Sequence, residues 1–101
     1  MLGILKNMLG SKADMEQLIK SGAQIIDVRT SGEYAGGHVK GSVNIPLNDL
    51  PRKLSSIKKD KPVITCCASG MRSASAASFL KSNGFTEVYN GGSWLSVNKY
   101  I

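Results

Sequence analysis

Residues 63–73, Val-Ile-Thr-Cys-Cys-Ala-Ser-Gly-Met-Arg-Ser, constrain the fold more than any other stretch of the chain. The apolar, β-branched run from Val63 to Thr65 has the composition of a strand, and it ends in two cysteines. A short turn with one glycine follows, and a helix-like stretch opens at Arg72. This order places a thiol at the end of a strand, facing the N-terminus of a helix across a tight loop. Such a loop points successive backbone N–H groups inward, and the helix end adds partial positive charge. Both favour an anion, either a thiolate or a bound oxyanion. Arg72 adds a fixed cation able to pair with anionic oxygens in a fork. Together these features describe a nucleophilic cysteine site.

The two cysteines are not equivalent. Cys67 begins the spacing C-x-x-G-x-R and sits at the mouth of the loop. Cys66 is one residue earlier, and strand side chains alternate between faces. With Cys67 turned into the cradle, Cys66 turns away into a core, where free cysteine behaves as a small hydrophobe. Burial alone accounts for neither Gly70 nor Arg72 at those offsets. Adjacent cysteines do not form a disulfide framework, so the chain gives no support for secretion.

Strands alternate with helices along the rest of the chain. Ser11, with Asp14 three residues on, suits a helix start; Met15, Leu18 and Ile19 share one face, and Gly22 is a stop. Gln24 to Val28 reads as a strand buried on both faces. Residues 29–41 hold four glycines and read as a loop. Ser42 to Ile45 is a short strand closed by Pro46. Leu47, Leu50, Leu54 and Ile57 recur at helical spacing, with Asn48 or Asp49 as cap and Pro51 in the first turn. Ala76, Phe79 and Leu80 give the helix after Cys67 its apolar face, and Asn83-Gly84-Phe85 resembles a left-handed cap. Glu87 to Tyr89 is a last strand and Ser93 to Asn98 a final helix. The alternation predicts an α/β fold, a small parallel sheet with helices on both faces. In such sheets ligands bind beyond the carboxyl ends of the strands, where Cys67 falls.

A chain of 101 residues predicts one domain. Its formal charge is +6, which raises the question of nucleic acid. The lysines are scattered, however, and the one cluster, Lys58-Lys59-Asp60-Lys61, contains an acid. A solvated basic surface with mild attraction for small anions is the better reading, and no nucleic-acid partner is expected. Residues 1–10 form an apolar N-terminal segment, expected to be helical with Leu2, Leu5 and Leu9 on one side and to dock on the domain. Lys6 and Asn7 interrupt it, so it suits neither a secretory signal nor a membrane span. Residues 11–101 are expected to form a single domain, monomeric and cytoplasmic.

Cys67 to Ser73 resembles the active-site loop of the rhodanese domain, the sulfurtransferase module. Asp27-Val28-Arg29, then Glu33-Tyr34, then Gly37-His38-Val39-Lys40-Gly41-Ser42-Val43-Asn44-Ile45-Pro46, is similar to that family's D-V-R … E-[YF]-x-x-G-H-[IV]-x-G-[AS]-x-N-I-P signature. Gly84-Phe85-Thr86-Glu87-Val88-Tyr89-Asn90-Gly91-Gly92 resembles its G-F-x-x-V-x-x-x-x-G-G pattern. The resemblance runs from about Ala23 to Gly92. It implies a rhodanese-like fold and ping-pong transfer of sulfane sulfur through a persulfide on Cys67. The donor would be thiosulfate or a persulfide or polysulfide; the acceptor would be cyanide, a thiol or a sulfur-carrier protein. No cofactor and no metal are expected.

Ala68, Ser69, Gly70, Met71, Arg72 and Ser73 are the expected anion-binding loop, with the amides of Ala68 to Arg72 stabilising the anionic sulfur and leaving group. Arg72 either binds the donor's sulfonate or braces the loop against a carboxylate. Ser73 offers a hydroxyl or fills a first-turn position. Asp27 and Arg29, two apart on a strand, share a face; Asp27 is expected as a structural anchor and Arg29 as a structural residue with a lesser chance of touching substrate. His38, the lone histidine, suits a loop brace better than a general base, and Trp94 suits a core or sheet edge.

The chain departs from the family pattern at its edges. The short strand often found before Ala23 is not expected, Trp94 comes two residues early after Gly91-Gly92, and the customary last helix and loop are not expected within these residues. Within the loop, Arg72 is the only cation, which disfavours thiosulfate relative to a persulfide donor. Two other functions compete. A sulfur carrier or interaction module would hold sulfur without turnover. A phosphatase or arsenate reductase would need a longer loop than the four residues that separate Cys67 from Arg72.

Overall fold

The computed structural model describes residues 12–101, so the expectations for residues 1–10 and for Ser11 lie outside the described residues. Helix α1 (Lys12–Lys20) leads into strand β1 (Gln24–Asp27). A short helix α2 (Ser31–Ala35), strand β2 (Val43–Asn44) and two 3-10 turns, Leu47–Arg52 and Leu54–Ser56, follow. Strand β3 (Val63–Cys67), helix α3 (Met71–Ser82), strand β4 (Val88–Ser93) and helix α4 (Trp94–Asn98) complete the order. All four strands are parallel, in the order β2-β1-β3-β4.

Strand β3 lies inside the sheet, and each of its five residues is buried. That explains why its sequence is an unbroken apolar run and not an alternating one. Its side chains feed two separate cores. Ile64 and Cys66 join Met15, Ile25, Val39 and Val97 beneath α1 and α4. Val63 and Cys67 join Ile26, Val28, Leu50, Ala76, Leu80 and Phe85 beneath α3 and the 3-10 turns. Helices therefore cover both faces, as the sequence predicts.

Local chemistry explains where the helices stop. Helix α3 closes with Phe85 N–H on the Leu80 carbonyl (3.2 Å) and Gly84 N–H on that of Lys81 (3.4 Å). This is the Schellman pattern, and it folds Phe85 back beside Leu80. Burying a side chain of that size contributes about 1.5–3 kcal/mol. The same pair of bonds, Ala23 to Leu18 and Gly22 to Ile19, closes α1.

Two expectations are corrected. Residues 29–41 are not all loop: Thr30 and Glu33 form a reciprocal capping box that nucleates α2. The Leu47–Ile57 spacing is not one α-helix. Pro51 sits inside the first 3-10 turn and has no N–H to donate to the Leu47 carbonyl, and Lys53, at φ −114°, breaks the run. Leu50 and Ile57 reach the core regardless, because i→i+3 turns also bring such spacings onto one side.

Candidate functional site: a cysteine at the mouth of helix α3

Cys67 is the last residue of β3, and three residues separate it from the start of α3. Gly70 is the helix N-cap, at φ +112°, a backbone conformation that suits glycine. A helix N-cap ordinarily supplies a side-chain oxygen to the N–H of the third helical residue. Gly70 has no side chain, and the Cys67 sulfur takes that role. Sγ accepts hydrogen bonds from Ser73 N–H (3.3 Å) and from Gly70 N–H (2.9 Å). The expectation ran from the Ala68 to the Arg72 amides; the N–H groups that meet the sulfur are those of Gly70 and Ser73.

Cys67 has no exposed surface, although the sequence places it at an open loop mouth. The reason is packing: its flank lies among the core residues under α3, and the loop folds over it. Ala68 and Ser69 are exposed and Met71 is 80% exposed, so the loop's outer side faces solvent. A reactant reaches Sγ only when this loop shifts.

The loop rests on β4. A Cβ at Gly91 would stand 2.7–2.8 Å from Val97, Ile64 and the Thr65 carbonyl, so only glycine fits. One extra residue on β4 breaks the register between Thr65 and Cys67. The bulge carries Gly92 to within 3.5 Å of where a Gly70 Cβ would lie. Asn90 fastens the two sides, accepting from the Ser73 hydroxyl and from Gly92 N–H (2.9 Å). Thr65 Oγ1 donates to the Ser73 carbonyl (2.9 Å) from the buried side. Ser73 thus presents its N–H to the sulfur and spends its hydroxyl on this network. Thr65 and Asn90 were missed in the sequence, since nothing local marks contacts to Ser73 across eight and 17 residues.

Arg72 points to Glu33. Its Nη1 donates to Oε1 (2.8 Å) and its Nη2 to Oε2 (3.1 Å), a two-pronged fork at the surface. The Arg72 fork and the Thr30 amide hold the Glu33 carboxyl down at about 2. Depressed in this way, the pair is intact above the ordinary carboxylate range and is lost only as pH falls through about 2. Of the two roles open to Arg72, the structure displays bracing. The signal for Glu33 was the Thr30-x-x-Glu33 spacing.

The family model for the rhodanese-like domain matches residues 11–94. The chain belongs to that family. The uncharacterized protein YqhL of Bacillus subtilis is 48% identical over 68 residues, which cover 67% of this chain and 54% of that protein. The thiosulfate sulfurtransferase GlpE of Stutzerimonas stutzeri is 39% identical over 70 residues, 69% of this chain and 64% of its own length. The chain thus aligns with less than two thirds of either protein. Among solved structures, a rhodanese with anions from E. coli superposes with a TM-score of 0.70 at 31% identity, covering 74% of this chain and 91% of that one.

Within this rhodanese-like domain, the remaining expected site residues stand behind the loop. Asp27 is fully buried, and Arg29 is 4% exposed. Arg29 donates to both Asp27 oxygens (2.7–3.0 Å), to the Gly37 carbonyl (2.8 Å) and to that of Glu33 (3.3 Å). Its guanidinium lies 4.8 Å from the Trp94 ring centre. These contacts hold the α2 segment against the sheet. The hydrogen bonds from Arg29 to Asp27 push the guanidinium pKa further up. His38 is exposed, stacks on Tyr34 at 3.8 Å and shares a hydrogen bond with the Tyr34 carbonyl (2.9 Å).

Cys66 lies in the opposite core, where burial and the nearby Asp27 carboxylate push its thiol up to about 12. Among the described residues, no cluster of histidine, cysteine and carboxylates could hold a metal, and no helix is long and apolar enough to cross a membrane.

Proposed function

We propose that this protein is a sulfurtransferase that carries sulfane sulfur as a persulfide on Cys67. The observation that supports the reading is the sulfur at the capping position of α3, accepting the Gly70 and Ser73 N–H groups. A sulfur held there meets the positive end of a twelve-residue helix, and negative charge developing on it is stabilised by donors already in place.

In the first half-reaction the Cys67 thiolate attacks the outer sulfur of the donor. With thiosulfate, a sulfur–sulfur bond forms to Cys67, the donor's own sulfur–sulfur bond breaks, and the electron pair leaves on sulfite. With an organic persulfide, the leaving group is a thiolate. In the second half-reaction a thiol, cyanide or an acceptor protein attacks the outer sulfur of the persulfide and returns the Cys67 thiolate. Neither half changes the total electron count, so no cofactor is required. The reducing cytoplasm suits a chemistry that begins from a free thiol.

Intact mass after donor treatment, paired with thiocyanate production from cyanide, tests the reading. A gain of about 32 Da, one sulfur atom, with continuing thiocyanate release is expected. Cys67→Ala should abolish both, whereas Cys66→Ala should keep both. Loss in Cys66→Ala alone would reverse the assignment of the nucleophile. A mass gain without turnover would favour a sulfur carrier.

A further inference from the structure

Arg72 is the only cation of the loop, and although its side chain reaches the surface its charge is already paired with a carboxylate. Its fork is matched by both oxygens of Glu33, a residue 39 positions away in sequence. Glu33 is itself held by a second set of donors, Thr30 N–H (3.0 Å) and Thr30 Oγ1 (3.1 Å) to Oε1. The carboxylate is therefore fixed before Arg72 arrives. Arg72 directly precedes Ser73, whose N–H donates to the Cys67 sulfur, so the pair is anchored one residue from the sulfur's cradle. A donor approaching the loop meets a neutralised pair in place of a free guanidinium. The other exposed members of the loop, Ala68, Ser69 and Met71, bring no charge.

We propose that Glu33 is a specificity-determining residue that acts through Arg72, neutralising the loop's cation and turning the site from dianionic donors such as thiosulfate toward small organic persulfides. This rests on the sulfurtransferase reading and deepens it. A thiosulfate sulfonate needs a counter-charge beside the sulfur, and Glu33 already occupies that charge. An alkyl persulfide brings at most one negative charge, on the sulfur that reacts, against two on thiosulfate, and its carbon end can lie against the exposed apolar side chain of Met71.

Glu33→Gln isolates the charge. Glutamine serves as well as glutamate at this position of a capping box, so α2 keeps its N-terminus while Arg72 loses its counter-ion. The assay compares KM and kcat for thiosulfate and for 2-hydroxyethyl persulfide, with Cys67 loading followed by mass. Removing one unit charge close to a dianion should lower the thiosulfate KM roughly threefold to tenfold. The gain should shrink as salt is raised, and the persulfide KM should move less than twofold. Glu33→Asp, which keeps the charge, should leave the preference for the persulfide in place. A purely structural role for Glu33 would raise KM for both donors together. An unchanged ratio in Glu33→Gln, or equal effects of Asp and Gln, would overturn the proposal. The sulfurtransferase reading fails separately, if neither donor adds mass to Cys67 in the unaltered protein.

Discussion

Cys66 and Cys67 are neighbours in sequence and both are fully buried, yet their surroundings share little. Cys66 faces the α1 and α4 side among Ile25, Ile64, Val39 and Val97, opposite Asp27 in the strand register. Apolar contacts and a nearby carboxylate both resist its ionisation. Cys67, one residue on, meets two backbone N–H groups at the start of a helix. Burial is therefore a poor guide to what a thiol can do. The decisive difference is whether the covering atoms are hydrocarbon or inward-pointing amides.

The largest expected effect separates the two thiols directly. With iodoacetamide at pH 8, carbamidomethylation mapped by peptide mass should fall on Cys67 at least about a hundredfold faster than on Cys66, because the thiolate is the reactive form and Cys66 is almost wholly protonated there. The rate at Cys67 should stay below that of a small free thiol, since the loop must move first. Comparable labelling of both residues in the folded protein would erase the contrast.

The two-residue alternation that divides Cys66 from Cys67 is local, so it was legible in the sequence, as were the strand–helix alternation and the cap at Asn83-Gly84-Phe85. Other features were not. The sulfur's role as a helix cap depends on Gly70 having no side chain and on the bulge at Gly91-Gly92, which only the fold brings under the loop. The length of the spacing could not tell an α-helix from 3-10 turns at Leu47–Ile57, because Leu and Ile recur compatibly with both. Helix α2 was masked by four glycines, although its capping-box spacing was present. The Arg72–Glu33 fork needed the tertiary structure outright: two roles fitted the arginine until its partner was located.

A smaller effect sharpens the Cys67 side alone. Gly70→Ala places a Cβ on a residue at φ +112°, with Gly92 in ordinary contact at 3.5 Å. The left-handed backbone, not a clash, is what costs, by about 1–2 kcal/mol. The chain can relieve that strain by turning the Gly70 amide away from Sγ. Chemical denaturation should register the stability loss, and Cys67 loading by a persulfide should slow roughly tenfold, equivalent to about 1.4 kcal/mol of barrier. Loss of stability with unaltered loading would mean that the Gly70 N–H contributes nothing to the sulfur.

The smallest effect belongs to Cys66 and appears only in base. Its folded thiol sits near 12, above an ordinary value near 9. In the unfolded chain the thiol ionises as pH rises past 9, while the folded protein still holds the proton. The unfolded state then binds fewer protons, and stability falls across the window from 9 to 12. Cys66→Ala removes the titrating group and lowers the stability offset by leaving a small cavity, but a cavity has no pH dependence. Urea midpoints at pH 8, 9, 10 and 11 should therefore decline less steeply in Cys66→Ala than in the unaltered protein. Parallel declines would mean that Cys66 gives up its proton as readily in the fold as in water, and the environment assigned to it beneath α1 and α4 would be wrong.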